Sequence, residues 1–346
     1  VPPKVHNTAK SRWVEADWSD LPGWDADQVV HAWPALLRSC FKPATEFDDT
    51  CRAAQALPAP DDTSIRAFLR ERLRPWRVES QIGRVEGLST GYFEPLVVAS
   101  RRARPGFEVP LYAPPPGLAA RKPWFTREQM DTLPAAQGAL RGREIAFVAD
   151  RLDALLLQIQ GSGRLDVTEP DGSRRLVRVS YTASNEHPYR SIGRWLVEQG
   201  ELTAEAASWP AIRQWARSRP QRVDELVQAN PRVIFFREEA LADPTQGPLG
   251  AQGVPLTPGR SIAVDKHSIP YGTPVWFAST EPQRPGSTVE PRPLQRLVVA
   301  QDTGSAITGA LRADYFWGWG DGAEEMAGRM RQSVRMWVLW PKDDKP

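Results

Sequence analysis

Hydrophobic and polar positions change their period several times along the chain. Residues 1–60 show little regularity beyond helical character from Val29 to Ser39, with Trp13, Trp18, Trp24 and Trp33 spaced through them. Asp62 reads as an N-cap for a helix through about Arg72, with Ile65, Phe68, Leu69 and Leu73 on one face. Gln81 to Tyr92 has short strand character. From Ala99 to Pro123 the chain is rich in Pro, Gly and Arg without periodicity, which marks a domain crossing. After a short helix near Arg127 to Asp131, strands are expected to dominate. Glu144 to Ala149 and Asp153 to Gln160 are bounded by turn signals. Pro170-Asp171-Gly172 between Arg164–Thr168 and Arg175–Tyr181 predicts a hairpin. Pro188 at N1 and Gly200 at the end bracket a helix carrying Ile192, Trp195 and Leu196. Helices near Ala211 to Arg217 and Val223 to Gln228 follow, ending at Asn230-Pro231. The last third returns to strands over Ser261–Asp265, Thr273–Ala278, Arg296–Asp302 and Val334–Leu339. In the last of these Val334, Met336, Val338 and Trp340 alternate, so a half-buried strand is expected. Many short strands with Gly/Pro turns argue for a mainly β barrel or sandwich with attached helices.

Composition narrows the function. With 44 Lys+Arg against 42 Asp+Glu, the net charge of +2 lacks a nucleic-acid footprint. A 41% hydrophobic fraction excludes wholesale disorder. No apolar run approaches the roughly 20 residues of a membrane helix. The 14 tryptophans suit an aromatic-lined groove or a large core. Cys40 and Cys51 are close in the chain and read either as two buried thiols or as a local disulfide in an oxidising compartment. His6, His31, His187 and His267 are scattered, so no metal site and no cofactor is expected. The first residue is Val, which reads as a processed form whose signal peptide or lipid-anchor cysteine has been removed.

Three aspartates stand out, each at the end of a strand-like run: Asp265, Asp302 and Asp314. A strand that delivers a carboxylate to its terminus places an acid on a rigid scaffold; the plainer reading is that each caps a turn. Their surroundings are Ala263-Val264-Asp265, Ile269-Pro270-Tyr271-Gly272-Thr273, Asp302-Thr303-Gly304-Ser305-Ala306-Ile307-Thr308-Gly309 and Arg312-Ala313-Asp314-Tyr315-Phe316-Trp317-Gly318. These segments closely resemble the 3D domain, named for its three aspartates. Upstream, Thr90-Gly91-Tyr92-Phe93-Glu94-Pro95, Gln158-Ile159-Gln160-Gly161-Ser162-Gly163 and Asn230-Pro231-Arg232-Val233-Ile234-Phe235-Phe236 are similar to the MltA-specific region. In this order they resemble the membrane-bound lytic transglycosylase A family from about Tyr92 to Trp340.

The resemblance implies a double-psi β-barrel of residues 1–95 and 238–346. A smaller β-rich domain, 96–237, is inserted, and a substrate groove separates the two. It implies glycan strands of peptidoglycan as substrate, no nucleic-acid partner, a monomer, and other cell-wall enzymes as the open class of partners. It also implies a periplasmic site with an outer-membrane lipid anchor, a compartment in which Cys40 and Cys51 would pair. The implied reaction cleaves the MurNAc–GlcNAc β-1,4 bond without water, giving a 1,6-anhydro ring. Asp314 would serve as acid and then base, its carboxyl raised by burial beside Tyr315, Phe316 and Trp317 and by Asp302. Asp302 would stabilise positive charge or orient Asp314, and Asp265 would support the scaffold. Tyr92, Gln158, Gln160, Ser162, Tyr189, Gly304 and Gly309 are the expected substrate contacts, with Gln158 and Gln160 on one strand face. Two other readings stand beside this one: a hydrolytic glycosidase on the same barrel, which needs a second carboxylate to activate water, and a non-catalytic cell-wall-binding module.

Overall fold

The computed structural model describes residues 2–284, 286–304 and 306–342. The chain divides into two compact units, residues 1–93 with 245–346, and Glu94–Pro244. The first crossing therefore falls two residues before the sequence boundary at 95/96, and the second falls seven residues after that at 237/238. The strand Ile234–Ala240, which the sequence boundary cuts, lies whole in the second unit.

The first unit begins with β1 (Val5–Asn7) and β2 (Arg12–Glu15), then α1 (Trp33–Ser39), α2 (Asp48–Ala56) and α3 (Asp62–Arg72). The N-cap of α3 is Asp61, not Asp62: Asp61 and Ser64 form a capping box. The Asp62 carboxylate instead accepts the Val30 N–H at 2.8 Å. Cys40 at the end of α1 and Cys51 within α2 form a disulfide. Strands β3 (Leu73–Glu79) and β4 (Gly87–Glu94) lead to the crossing.

The second unit holds β5 (Leu96–Ser100), β6 (Val109–Tyr112), α4 (Arg127–Thr132), α5 (Pro134–Leu140), β7 (Glu144–Val148) and α6 (Arg151–Gln160). These are followed by β8 (Ser162–Thr168), β9 (Arg174–Ser184), α7 (Ile192–Glu198), α8 (Trp209–Ser218), α9 (Val223–Gln228) and β10 (Ile234–Ala240). Its sheet runs β10-β9-β8-β5-β7-β6. Six helices accompany these six strands, so the unit is more helical than a β-rich reading of its sequence. Residues 153–160, read as a strand, are the body of α6. Its leucines are unbranched at Cβ and favour helix. Asp150 caps the start, and Gly161 at φ +78° ends it. Helix α7 starts at Ile192 with Ser191 as N-cap, so Pro188 lies before the helix rather than at N1.

The chain returns through β11 (Ser261–Val264), β12 (Pro274–Thr280), β13 (Pro293–Asp302), β14 (Arg312–Trp319), α10 (Asp321–Arg329) and β15 (Arg331–Pro341). The sheet order is β1-β2-β3-β15-β12-β13-β11-β14-β4, and a further pairing of β15 with β4 brings the last six strands back on themselves as a barrel. β15 serves three neighbours: Arg331–Val334 pairs with β4, Val275–Ala278 pairs with its middle, and β3 with its end. Up to Arg335 β15 is half-buried as expected, with Val334 covered between exposed neighbours. From Met336 to Trp340 both of its faces are covered. Trp13, Trp24, Trp33, Trp76, Trp276, Trp337 and Trp340 join one core, so half of the tryptophans build the interior of the first unit. Within it the Trp24 ring meets Trp276 edge-on, centroids 5.1 Å apart.

Candidate active site

Strand register brings two of the three aspartates together. In β11, Ala263 is opposite Asp302 of the parallel β13 and opposite Asp314 of the antiparallel β14. The two aspartates thus flank one alanine, with Cα atoms about 10 Å apart across two strand spacings. Asp302 is the last residue of β13, while Asp314 is the third of β14 and so stands near a strand's start rather than its end.

β4 closes the site on the other side of β14. Thr90 and Tyr92 alternate onto one face of it. Gly91, between them, faces the other way; a Cβ there would lie 2.7 Å from Trp317 Nε1 and 2.8 Å from Ala327 Cα. The Thr90 hydroxyl donates to Asp314 Oδ1 at 2.8 Å. The Tyr92 hydroxyl donates to Asp302 Oδ2 at 2.9 Å, and its ring leans on Phe316, centroids 5.2 Å apart. Alternation puts Phe316 on the Asp314 face of β14 and Tyr315 and Trp317 on the opposite face. Tyr315 accordingly contacts Phe277 and donates to the Gly259 carbonyl. Of the three aromatics expected to bury Asp314, only Phe316 shares its face.

Burial pushes the Asp314 carboxyl up to about 6; the Thr90 hydroxyl and the Arg312 guanidinium pull it down, and Asp302 adds to the rise. Asp302 is also raised by burial, opposed by the N–H groups of Thr303 and Ala251 and by the Tyr92 hydroxyl. Burial and the two carboxylates hold Tyr92 well above the usual phenol range, so it remains a neutral donor.

Asp265 lies just past β11 and serves the backbone. Its Oδ1 accepts the His267 N–H and its Oδ2 the Gly309 N–H, at 2.9 and 2.8 Å. It therefore pins the segment between β13 and β14. Gly309 has φ +101°, which an L residue rarely adopts. Gly304 accepts a turn bond from Ile307 N; Ser305 of the same motif lies outside the described residues.

Gln158, Gln160, Ser162 and Tyr189 all belong to the second unit. Gln158 and Gln160 lie on a helix, two positions apart, so they do not share a face. Gln158 Oε1 accepts from Arg127 Nη2 at 2.8 Å and from the Ile234 N–H at 3.4 Å. That carbonyl is thus spent on the buried Arg127, whose guanidinium burial pushes down to about 10. Gln160 and Ser162 are half-buried, and Tyr189 is 53% exposed. Sequence reasoning quoted Thr90 and Arg312 within motifs but gave neither a role. The available signal was strand period: Thr90 alternates with Tyr92, and Arg312 with Asp314.

The class of protein to which this chain is similar is that of the lytic transglycosylases. A family model of the 3D domain matches residues 260–340, and one of the MltA specific insert domain matches 88–237. The chain is 34% identical over 266 residues to the membrane-bound lytic murein transglycosylase A of Escherichia coli, covering 76% of this chain and 68% of the relative. Among solved structures, the lytic transglycosylase LtgG of Burkholderia pseudomallei shares 43% identity at a TM-score of 0.70, covering 99% of this chain and 98% of that one. MltA of Neisseria gonorrhoeae shares 30% identity at a TM-score of 0.85, covering 100% of this chain and 97% of that one. The chain belongs to the MltA family of lytic transglycosylases.

Proposed function

We propose that the protein is a lytic transglycosylase that cleaves the MurNAc–GlcNAc β-1,4 bond of peptidoglycan, with Asp314 as acid and then base. The observation that carries this reading is the Asp314 carboxyl, raised to about 6 and bonded to a hydroxyl rather than to a cation. Protonated Asp314 gives its proton to the glycosidic oxygen as the C1–O bond breaks. The ionised carboxylate then takes the proton of the C6 hydroxyl while O6 bonds to C1, closing the 1,6-anhydro ring. The nucleophile is part of the substrate, so intramolecular attack supplies the effective concentration. Asp302 stabilises the positive charge at C1 as an anion.

A hydrolase would need a second carboxylate free to activate water. Asp302 is poorly suited to that work: Oδ1 accepts the Ala251 N–H and Oδ2 the Tyr92 hydroxyl, each at 2.9 Å. The same reading takes the six-stranded closure as a double-psi barrel. It also takes residues 96–237 as the body of the inserted domain, and Tyr92, Gly304, Gly309, Gln160, Ser162 and Tyr189 as glycan contacts. The relative from Escherichia coli is named membrane-bound, and no described helix of this chain is long and apolar enough to cross a membrane. A periplasmic location with an N-terminal lipid anchor accommodates both.

Digestion of purified peptidoglycan followed by mass analysis of the products tests the reading. Transglycosylation gives MurNAc ends lighter by one water than the reducing ends a hydrolase leaves. Reducing ends alone would overturn it in favour of hydrolysis, and no cleavage would favour a binding module.

A further inference from the structure

The hydroxyl oxygen of Thr90 has two polar neighbours. It accepts a hydrogen bond from Arg312 Nη2 at 2.9 Å, and it lies 2.8 Å from Asp314 Oδ1. A guanidinium only donates, and a threonine has a single O–H. With the Arg312 proton on one of the two Thr90 lone pairs, turning the hydroxyl so that it also accepts from Asp314 would leave the threonine's own proton with neither partner. The chain of bonds therefore favours one direction, from Arg312 to Thr90 to Asp314.

That direction matters because Asp314 must carry a proton before it can give one away. Oδ1 already receives a donor, so a proton on Oδ1 would face the Thr90 proton head-on. We propose that Arg312 is a positioning residue that, by fixing the direction of the Thr90 hydroxyl, keeps the acid proton of Asp314 on Oδ2. The proposal rests on the reading of Asp314 as general acid. Without Arg312, the Thr90 rotor is free to turn and accept from Oδ1–H. The proton is then held by the protein instead of being presented to the glycosidic oxygen.

Arg312 is half-buried on β14, two residues before Asp314, and its Nη1 donates to the Ala313 carbonyl at 2.7 Å, which holds the side chain in place. The other groups acting on Asp314 are Asp302 from β13 and Thr90 and Tyr92 from β4. Ala263 of β11, between the carboxylates, brings no charge. Arg312 is thus the one cation among the described groups acting on Asp314.

The test is kcat/KM against pH on purified peptidoglycan glycan strands, with the full chain and with Arg312→Met, Arg312→Lys, Thr90→Val, Thr90→Ser and Arg312→Met/Thr90→Val. Activity needs protonated Asp314, so it falls as pH rises through the Asp314 pKa. Arg312→Met removes a cation that favours the carboxylate, so the alkaline limb moves to higher pH. Its plateau falls about tenfold, as expected when one charge-assisted bond is lost. Arg312→Lys and Thr90→Ser keep a donor and a hydroxyl, and stay near the parent profile. Thr90→Val loses plateau activity, and adding Arg312→Met to it costs little more, because Arg312 acts through Thr90. Multiplying plateau losses in the double variant, or an unmoved limb in Arg312→Met at an unchanged melting temperature, would overturn the proposal. If Arg312→Met folds poorly, Thr90→Val against Thr90→Ser decides: equal plateaus and limbs refute the directed hydroxyl. Full activity of Asp314→Asn would instead refute the reading of Asp314 itself, whatever these variants do.

Discussion

Asp27 and Asp314 are both aspartates of the barrel unit, the first buried and the second half-buried, and their neighbours treat them in opposite ways. Asp27 grips Arg260 with both oxygens, at 2.8 and 2.9 Å, and its Oδ2 also accepts the Leu297 N–H. Arg260 spends its remaining reach on the Leu297 and Gln28 carbonyls. Every strong group in that cluster has a partner, and the charge is cancelled where it sits. Asp314 receives a threonine hydroxyl instead, and its cation bonds the threonine. In the second unit Glu94 follows the Asp27 pattern, held by Arg164 at 3.0 Å and by Arg178 at 2.6 Å. Asp27 and Glu94 are each given a guanidinium, while the carboxylate assigned to chemistry is given burial without direct neutralisation. That contrast makes its neutral form accessible near neutral pH.

The largest expected effect removes the titrating oxygen. Asp314→Asn keeps the shape but cannot act as acid and then base. Turnover on peptidoglycan should drop by on the order of 10² to 10⁴, while co-sedimentation with intact sacculi persists. Asp302→Asn should lose less, on the order of 10², since it stabilises charge and transfers no proton in the reaction. Product mass analysis of both variants decides: a dead Asp302→Asn beside an active Asp314→Asn reverses the roles.

Breaking the other side of the comparison should change stability. Asp27→Ala strands the Arg260 guanidinium in the core and should cost about 3–5 kcal/mol in denaturant unfolding. A loss near zero would mean that the pair is solvated and that the contrast with Asp314 does not hold. Replacing Cys40 and Cys51 by Ala should cost somewhat less, roughly 3 kcal/mol, because it frees a short loop in the unfolded chain. The disulfide ties α1 to α2, and α1 accepts Gln301 Nε2 at Ala35 O and Ser39 Oγ, both at 2.8 Å, just before Asp302. Activity per folded molecule should nonetheless survive, since neither cysteine touches a carboxylate of the site.

How much of this was legible in the sequence varies by element. β-strands with alternating or β-branched residues, such as 261–264 and 296–302, announced themselves, as did the hairpin around Pro170-Asp171-Gly172. The helix over residues 151–160 did not, because a continuous apolar run has no period to read, and only the leucine bias and the Asp150 and Gly161 caps betray it. That error placed Gln158 and Gln160 on a shared face they do not have. The motifs carried the identities of Asp302 and Asp314, but not their meeting across Ala263. Register between β11, β13 and β14 is set by barrel closure, a long-range property that no local pattern encodes. The polarity of Arg312, Thr90 and Asp314 was hidden for the same reason, since Thr90 comes from a strand 224 residues away from Asp314.

The smallest effect is the most discriminating, because its sign is opposite to that at Asp27. Burial raises the folded-state pKa of Asp314 from 3.8 to about 6. Well below pH 3.8 the carboxyl is protonated in the folded and unfolded chains alike, and no difference arises. Between about 4 and 6 the unfolded chain has released its proton while the folded chain still holds it, so stability falls as pH rises through this window. Above 6 the folded chain carries the whole cost of a buried, un-neutralised carboxylate, about 2–3 kcal/mol at the usual 1.36 kcal/mol for each pKa unit. Asp314→Asn removes that cost. The variant should therefore be more stable than the parent at pH 7.5 and nearly all of that difference should be gone at pH 3.5, as urea midpoints at the two pH values would report. Asp27→Ala should be less stable at pH 7.5, because it leaves the buried Arg260 guanidinium without its carboxylate partner. A catalytically inactive variant whose gain in stability grows between pH 4 and 6 and levels off above would show that the fold sustains Asp314 at its own expense. Equal midpoints for Asp314→Asn and the parent at pH 7.5 would mean that the carboxylate is as well solvated in the barrel as in water, and the acid role would lose its physical basis.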